Sequence, residues 1–526
     1  MGNRNVNTAM QGALILSISA FVAKLLSAVY RVPFQNMVGN TGFYVYQQVY
    51  PIYGIGMTFA LSGLPVFISK LIAEAPDLAS QQQVARQVER WLWVVAIGIF
   101  GFLTVAASAL ARGMGDPQLA PLIRVVAAMF LFMPALSVNR GYHQGRFHML
   151  PTARSQVVEQ LVRVVVILTA AAWATHQQWS VYTMGAWALS GGTVTALAAL
   201  LVLPTWRQRD VAPRRAVPHI GRRLLVEGGT LCLLTAMLVL LQLVDSFTVM
   251  KGLVAGGMRA DAAKSLKGVY DRAQPLVQLG LVVAVAFATS LLPALTATRR
   301  REHPQTFKRL TTTMMRIAMM IAVAATAGLM GLMPWINRVL FGDDHGSTML
   351  AVYMLSIVLA TLIQTYNSVL QSQDQYRLTV VALLVGLTVK VVGNSWLVRE
   401  FGAIGASWLT VFSLSVILGI VWWGSDRELR SGIWRGAFLP KLTGITAVMV
   451  VGVRFAMAVL ERWWPAIGTG RLAAGGGLLI GIPVGVGLFI GLALWWHLLS
   501  IREWLAIPRA KSMLRLWQQL KRHGGN

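Results

Sequence analysis

The chain has 526 residues, 56% of them hydrophobic and only 12% charged, and 46 Lys and Arg against 19 Asp and Glu give a net charge of +27. That composition excludes a soluble globular domain and fits a polytopic helical membrane protein. The bases cluster in short links between apolar spans, which points to membrane orientation and contact with anionic lipids rather than to nucleic acid.

Fourteen spans are predicted, at 8–36, 42–73, 87–111, 118–140, 151–175, 180–204, 221–250, 272–298, 309–334, 347–371, 376–398, 404–423, 437–460 and 473–499. The expected fold class is therefore an all-α polytopic membrane protein. The N-terminal stretch MGNRNVNTAMQGALIL runs into the first span with no cleavage site, so a retained helix is expected. The second span, TGFYVYQQVYPIYGIGMTFALSGLPVFISKLIAE, is aromatic at one end and carries Lys70 at the other. Gln47, Gln48, Pro51 and Pro65 do not suit a helix that faces only lipid, and they predict that one side of it lines a wet cavity.

Links after even-numbered spans are rich in bases: Arg140, Arg146 and Arg154, then Arg207 to Arg223, Arg299 to Arg309, and Arg427 to Arg435. The positive-inside bias places both termini in the cytoplasm. One outer link, 251–272, breaks the pattern with Lys251, Arg259, Lys264, Lys267 and Arg272. An ordinary outer loop should not be so basic; the rim of an anion site should.

An internal repeat is visible. Ser62-Gly63-Leu64-Pro65 returns as Ser290-Leu291-Leu292-Pro293 and Asn139 as Asn367, both displaced by 228, while Gln144 matches Gln371 and Arg163 matches Lys390, displaced by 227. Six spans separate the halves, so both cross in the same sense, as in a parallel transporter repeat. The expected organisation is an N-lobe over 1–205, a basic cytoplasmic linker over 206–220, a C-lobe over 221–424, two extra spans over 425–500 and a basic amphipathic tail over 501–526. Gly477, Gly481 and Gly485 give the last span a small-residue face, for helix packing or for an acyl-chain groove.

Ionisable groups inside spans are costly and indicate a site by default. Lys24 and Arg31 stand seven apart on the first span, hence on one face. Glu159 and Arg163 are spaced to pair on the fifth; Asp245 lies in the seventh, Asp271-Arg272 open the eighth, and Lys390 is in the eleventh. Mostly cationic, this set suits a phosphate or diphosphate, which Arg holds through paired donors and Lys as a point charge. Competing readings are that Lys24 and Arg31 snorkel to opposite interfaces and that Glu159–Arg163 is structural or carries protons, since the matching position in the second half is Gly386. Arg124 and Arg454 read as structural, Asp343-Asp344-His345 as a solvated turn, and Cys232 as packing. No DxD, GxSxG, HExxH or phosphate-cradling glycine loop is present, which argues against a membrane glycosyltransferase.

The run over 41–74, with Ala23-Lys24-Leu25-Leu26 and Tyr30-Arg31-Val32-Pro33 before it, resembles the polysaccharide-transport branch of the MOP flippase superfamily, which includes the stage V sporulation protein B type. The resemblance covers essentially the whole chain. It is more distant to the MurJ-type lipid II flippases, whose first span carries two basic residues like Lys24 and Arg31 and whose eighth opens with a pair like Asp271-Arg272, then a proline (Pro275) and a later Leu-Pro (Leu292-Pro293). Their second span has a further arginine and an acidic residue, whereas Gly54 to Ser62 here is uncharged.

The resemblance implies a monomeric flippase of the bacterial cytoplasmic membrane. It would carry an undecaprenyl-diphosphate-linked saccharide, lipid II or another wall or capsular precursor, by alternating access. Lys24, Arg31 and Arg272 would hold the diphosphate. Asp271, Glu159, Arg163 and Lys390 are cavity or coupling candidates, and Tyr46, Gln47, Tyr50 and Asn367 are candidate sugar contacts. No cofactor or metal is expected, and the drive would be the membrane potential or an ion gradient. A cation-coupled multidrug exporter is the alternative; it calls for buried carboxylates, where this chain supplies mainly bases.

Overall fold

The computed structural model describes residue 16, residues 18–206, 218–289 (side chains to 282), 304–371, 373, 375, 377–426, 430 and 436–505. Most of the expected linker and tail, the Ser290–Pro293 repeat partner and the bases Arg299 to Arg301 lie outside these residues. Every regular element among the described residues is helical.

Helix α1 (18–29) leads into α2 (Arg31–Thr58), which passes through a π-helical turn, Phe59–Gly63, into α3 (Leu64–Glu74). The chain bends at Gly39, whose φ of 70° and ψ of −178° suit a residue without Cβ. Asp77 starts α4 (Leu78–Gly113) by accepting the Ser80 N–H at 2.8 Å. Helix α5 (Ala120–Ala127) tightens to a 3₁₀ turn, Ala128–Phe132, just before Pro134 in the first turn of α6 (Met133–Gly145), where proline withholds an N–H from the ladder. Then come α7 (Met149–His176) and α8 (Val181–Val202), the latter capped by Ser180.

The next helices are α9 (Ile220–Arg223), α10 (Gly229–Thr235), α11 (Met237–Ala255), α12 (Ala260–Asp271) and α13 (Ala273–Thr289). They are followed by α14 (Pro304–Gly331), α15 (Met333–Phe341), α16 (Ser347–Gln371), α17 (Arg377–Phe401) and α18 (Ala403–Gly424). The last are α19 (Phe438–Trp463), α20 (Arg471–Trp495) and the short α21 (Ile501–Leu505).

Twelve stretches among the described residues are long and apolar enough to cross a membrane, against fourteen expected. Two features separate the numbers. Ile18–Glu74 is a single 57-residue stretch that holds the first two expected spans, and the expected eighth appears as α13, which stops where the described residues stop.

The chain divides into two compact units, residues 1–275 with 387–406 and residues 276–386 with 407–526. In the first, α4 turns Ile97, Phe102 and Val105 outward, as a lipid-facing helix does, whereas α2 buries Phe43, Tyr44, Tyr46 and Tyr53. Cys232 is buried against Gly63, where a Cβ would lie 2.5 Å from its sulfur. In the second unit, the glycine face of α20 is filled: a Cβ at Gly481 would lie 2.9 Å from Met457 Sδ, and one at Gly485 2.9 Å from Val453. Those glycines therefore serve close packing against α19. The Asp343–His345 stretch is a turn in which Asp343 accepts the His345 N–H and Asp344 pairs with Arg338.

Candidate functional site

Helix α2 carries an aromatic ladder, Tyr46, Tyr50 and Tyr53, at helical spacing, with successive ring centroids 5.8 and 5.5 Å apart. Arg31 lies against it, its guanidinium 4.4 Å from the Tyr50 ring centroid, while the Tyr30 and Tyr46 hydroxyls bond each other at 2.9 Å. Arg31 is 0% exposed, and none of its three guanidinium nitrogens makes a hydrogen bond of ordinary geometry. A cation over a ring gains roughly 0.5–2 kcal/mol, whereas enclosing an unpaired ion costs several. That imbalance is what a counter-ion supplied from outside the chain would correct.

One turn beyond Arg31, Gln35 donates to Asn40 Oδ1 at 2.9 Å, and the same oxygen accepts Arg272 Nη2 at 2.8 Å. Asn40 follows the Gly39 bend, so the bend sets the acceptor that ties Arg272 to Gln35, one turn from Arg31. Gly268 on α12 makes the approach possible: a Cβ there would lie 2.1 Å from the Asn40 carbonyl oxygen. Arg31 and Arg272 are thus brought to one neighbourhood. Lys24, on α1, keeps an exposed surface where Arg31 and Arg272 have almost none.

The anomalous basic link is α12 with its flanks, and much of its charge is answered internally. Lys267 bonds both oxygens of Asp271, at 2.6 and 2.7 Å. Lys264 meets Asp116 at 3.1 Å and Tyr182 at 2.7 Å, and Asp116 also accepts from Tyr182 and Tyr44. Partial burial works against the Lys264 charge, but the Tyr182 hydroxyl and the Asp116 carboxylate hold its ammonium above the ordinary lysine range. The stabilisation from that pair is fully present below the ordinary lysine value and fades only as pH rises through the higher folded value, so it persists at neutral pH.

Two buried ionic clusters flank this region within the first unit. Asp245 accepts from Lys390 at 2.8 Å, Asn394 at 2.9 Å and Tyr270 at 3.0 Å, tying α11, α17 and α12 together. Glu159 takes Arg140 at 2.6 Å and Arg163 at 2.9 Å, and Arg163 lies 5.2 Å from the Tyr53 ring centroid. Arg140 also donates to the Ala60 carbonyl within the π-helical turn. Arg140 was expected in a basic link; the structure buries it at 0% exposure as the first partner of Glu159. Its signal was in the repeat, because the second half has Ser368 opposite Arg140 and Gly386 opposite Glu159, so both members of the pair vanish together.

Of the candidate sugar contacts, Tyr46, Gln47 and Tyr50 are buried in the first unit, and Asn367 is buried in the second. Among the described residues, no cluster of His, Cys, Asp and Glu could hold a metal ion.

Comparison with known proteins bears on this arrangement. The family described as "Polysaccharide biosynthesis protein" matches residues 9–299. The chain is 34% identical to the uncharacterized membrane protein YabM of Bacillus subtilis (strain 168), over 98% of each chain. It is 23% identical to the lipid II flippase MurJ of the same organism, over 78% of this chain and 82% of that one. Among solved structures, a lipid II flippase MurJ in an inward closed conformation superposes with a TM-score of 0.66 at 11% identity, covering 92% of this chain and 99% of the other. That last likeness is one of fold.

Proposed function

The chain belongs to the polysaccharide biosynthesis protein family within the MOP superfamily, a transporter rather than an enzyme, and from that premise we propose that it flips a lipid-linked saccharide precursor across the bacterial cytoplasmic membrane. The cargo class is an undecaprenyl-diphosphate-linked saccharide, lipid II or another wall or capsular unit. The observation that carries this reading is the enclosed Arg31 guanidinium, which makes no hydrogen bond of ordinary geometry. A diphosphate supplies the missing charge and acceptors, and Arg272 is the adjacent cation.

In this reading Lys24, exposed on α1, meets the headgroup before it reaches Arg31, and Tyr46, Gln47 and Tyr50 contact the sugars. Lobes over 1–205 and 221–424 alternate access, both termini are cytoplasmic, and the monomer is driven by the membrane potential or an ion gradient. An organic-cation exporter would need free buried carboxylates; Glu159 and Asp245 are already held by Arg140, Arg163 and Lys390. The test is export of lipid-linked precursor in cells that depend on this chain. R31Q and R272Q should each lower export at least about tenfold, a loss of about 1.4 kcal/mol, with membrane levels unchanged. Normal export in both would remove the site.

A further inference from the structure

We propose that a pocket at the end of the last span holds the phosphate of an anionic lipid headgroup. The pocket, about 540 Å³, lies within the second unit, where the chain leaves α20, turns through 496–500 and enters α21. Its polar lining is Arg316 of α14, Lys441 of α19, and His497, Ser500 and Glu503 of the turn and α21.

The charge count favours an anion. Among the described residues of the lining Glu503 is the one carboxylate, and its oxygens are occupied: one accepts from Arg316 at 3.3 Å, the other from the Ser500 N–H at 2.7 Å and hydroxyl at 2.8 Å. Arg316 and Lys441 together exceed that single charge. The Lys441 ammonium gives one bond to the Trp496 carbonyl at 2.7 Å, and an ammonium has two more N–H groups to offer. The pocket also contains the start of α19, a 26-residue helix whose first turn has no side-chain cap, so backbone N–H groups and the positive helix end add to the field.

The surroundings favour a lipid over a free anion. Trp495 and Ile501 are each 67% exposed, and Leu505 is also exposed, so the pocket is bordered by apolar side chains at the end of a membrane span. Tryptophan at such a position belongs at headgroup level, where a phosphate would enter the pocket while its acyl chains lie along the apolar border. This inference does not depend on which cargo the chain carries.

Native mass spectrometry of the purified full chain, incubated with phosphatidylglycerol, phosphatidylethanolamine or inorganic phosphate, tests it. The expected result is retention of phosphatidylglycerol about tenfold above phosphatidylethanolamine, reduced about tenfold by K441Q and by R316Q and kept by R316K. Should R316Q fail to fold for want of its partner at Glu503, K441Q and R316K decide the question. Phosphatidylglycerol retention unchanged in K441Q and R316Q would overturn the proposal. So would capture of inorganic phosphate with no preference between the two lipids, which would make the pocket a site for a free anion.

Discussion

At the scale of single residues, two kinds of buried cation coexist in the first unit and should respond oppositely to neutralisation. Lys390 is 0% exposed and holds Asp245, so replacing it with Met strands a carboxylate in the interior and should cost about 3–5 kcal/mol. Combining it with Asp245→Asn should recover most of that loss, which thermal denaturation in detergent would measure as a double-mutant cycle. Among the described residues Arg31 makes no salt bridge, and the carboxylate it acts on from a distance, Asp271, is held by Lys267. Arg31→Gln should leave the melting temperature unchanged or raise it while transport is lost. The candidate residues were legible in the sequence because ionisable groups within apolar spans stand out. Their pairing was not: the partner of Glu159 proved to be Arg140 as well as Arg163, and spacing along one helix reveals only the second.

At the scale of elements, the attachment of α12 to the start of α2 decides where Arg272 sits. Gly268 permits the approach, and an alanine would need the Asn40 carbonyl to move, since its Cβ would lie 2.1 Å from that oxygen. Gly268→Ala should therefore lower export more than about tenfold and expose the 260–271 backbone to hydrogen exchange; unchanged protection there would contradict the assigned contact. Asp116→Asn acts at the other attachment of the same helix. Lys264 keeps some exposure, but Asp116 is buried and also accepts from Tyr44 and Tyr182, so the change should cost about 1–3 kcal/mol, read as a fall in melting temperature. The basic character of this link was visible in the sequence and was assigned to an anion. Folding assigns Lys264 to Asp116, a carboxylate whose proximity depends on tertiary packing, whereas Lys267 meets Asp271 four residues on in the same helix, a spacing the sequence already carries; Arg272 is bonded to Asn40. The Gly39 bend was hidden for a similar reason: a glycine near the end of an apolar run carries no mark of the φ it will adopt.

At the scale of the whole molecule, composition and span pattern were enough to predict an all-helical membrane protein, because few other arrangements satisfy so many backbone groups in an apolar solvent. The number of spans was harder to read, since the first two expected spans form one nearly continuous helical stretch across Gly39. Membership of the polysaccharide biosynthesis protein family rests on residues spread over more than half the chain. The function proposed for it rests on much less, the unmet charge of one guanidinium. The most direct measurement is binding of an undecaprenyl-diphosphate saccharide to the purified protein, made alongside its melting temperature, for the native chain, Arg31→Lys and Arg31→Gln. The account predicts partial binding in the lysine variant and at least about tenfold weaker binding in the glutamine variant, with the fold no less stable. Undiminished binding in Arg31→Gln, accompanied by a lower melting temperature, would show that Arg31 supports the fold and that the diphosphate is held elsewhere.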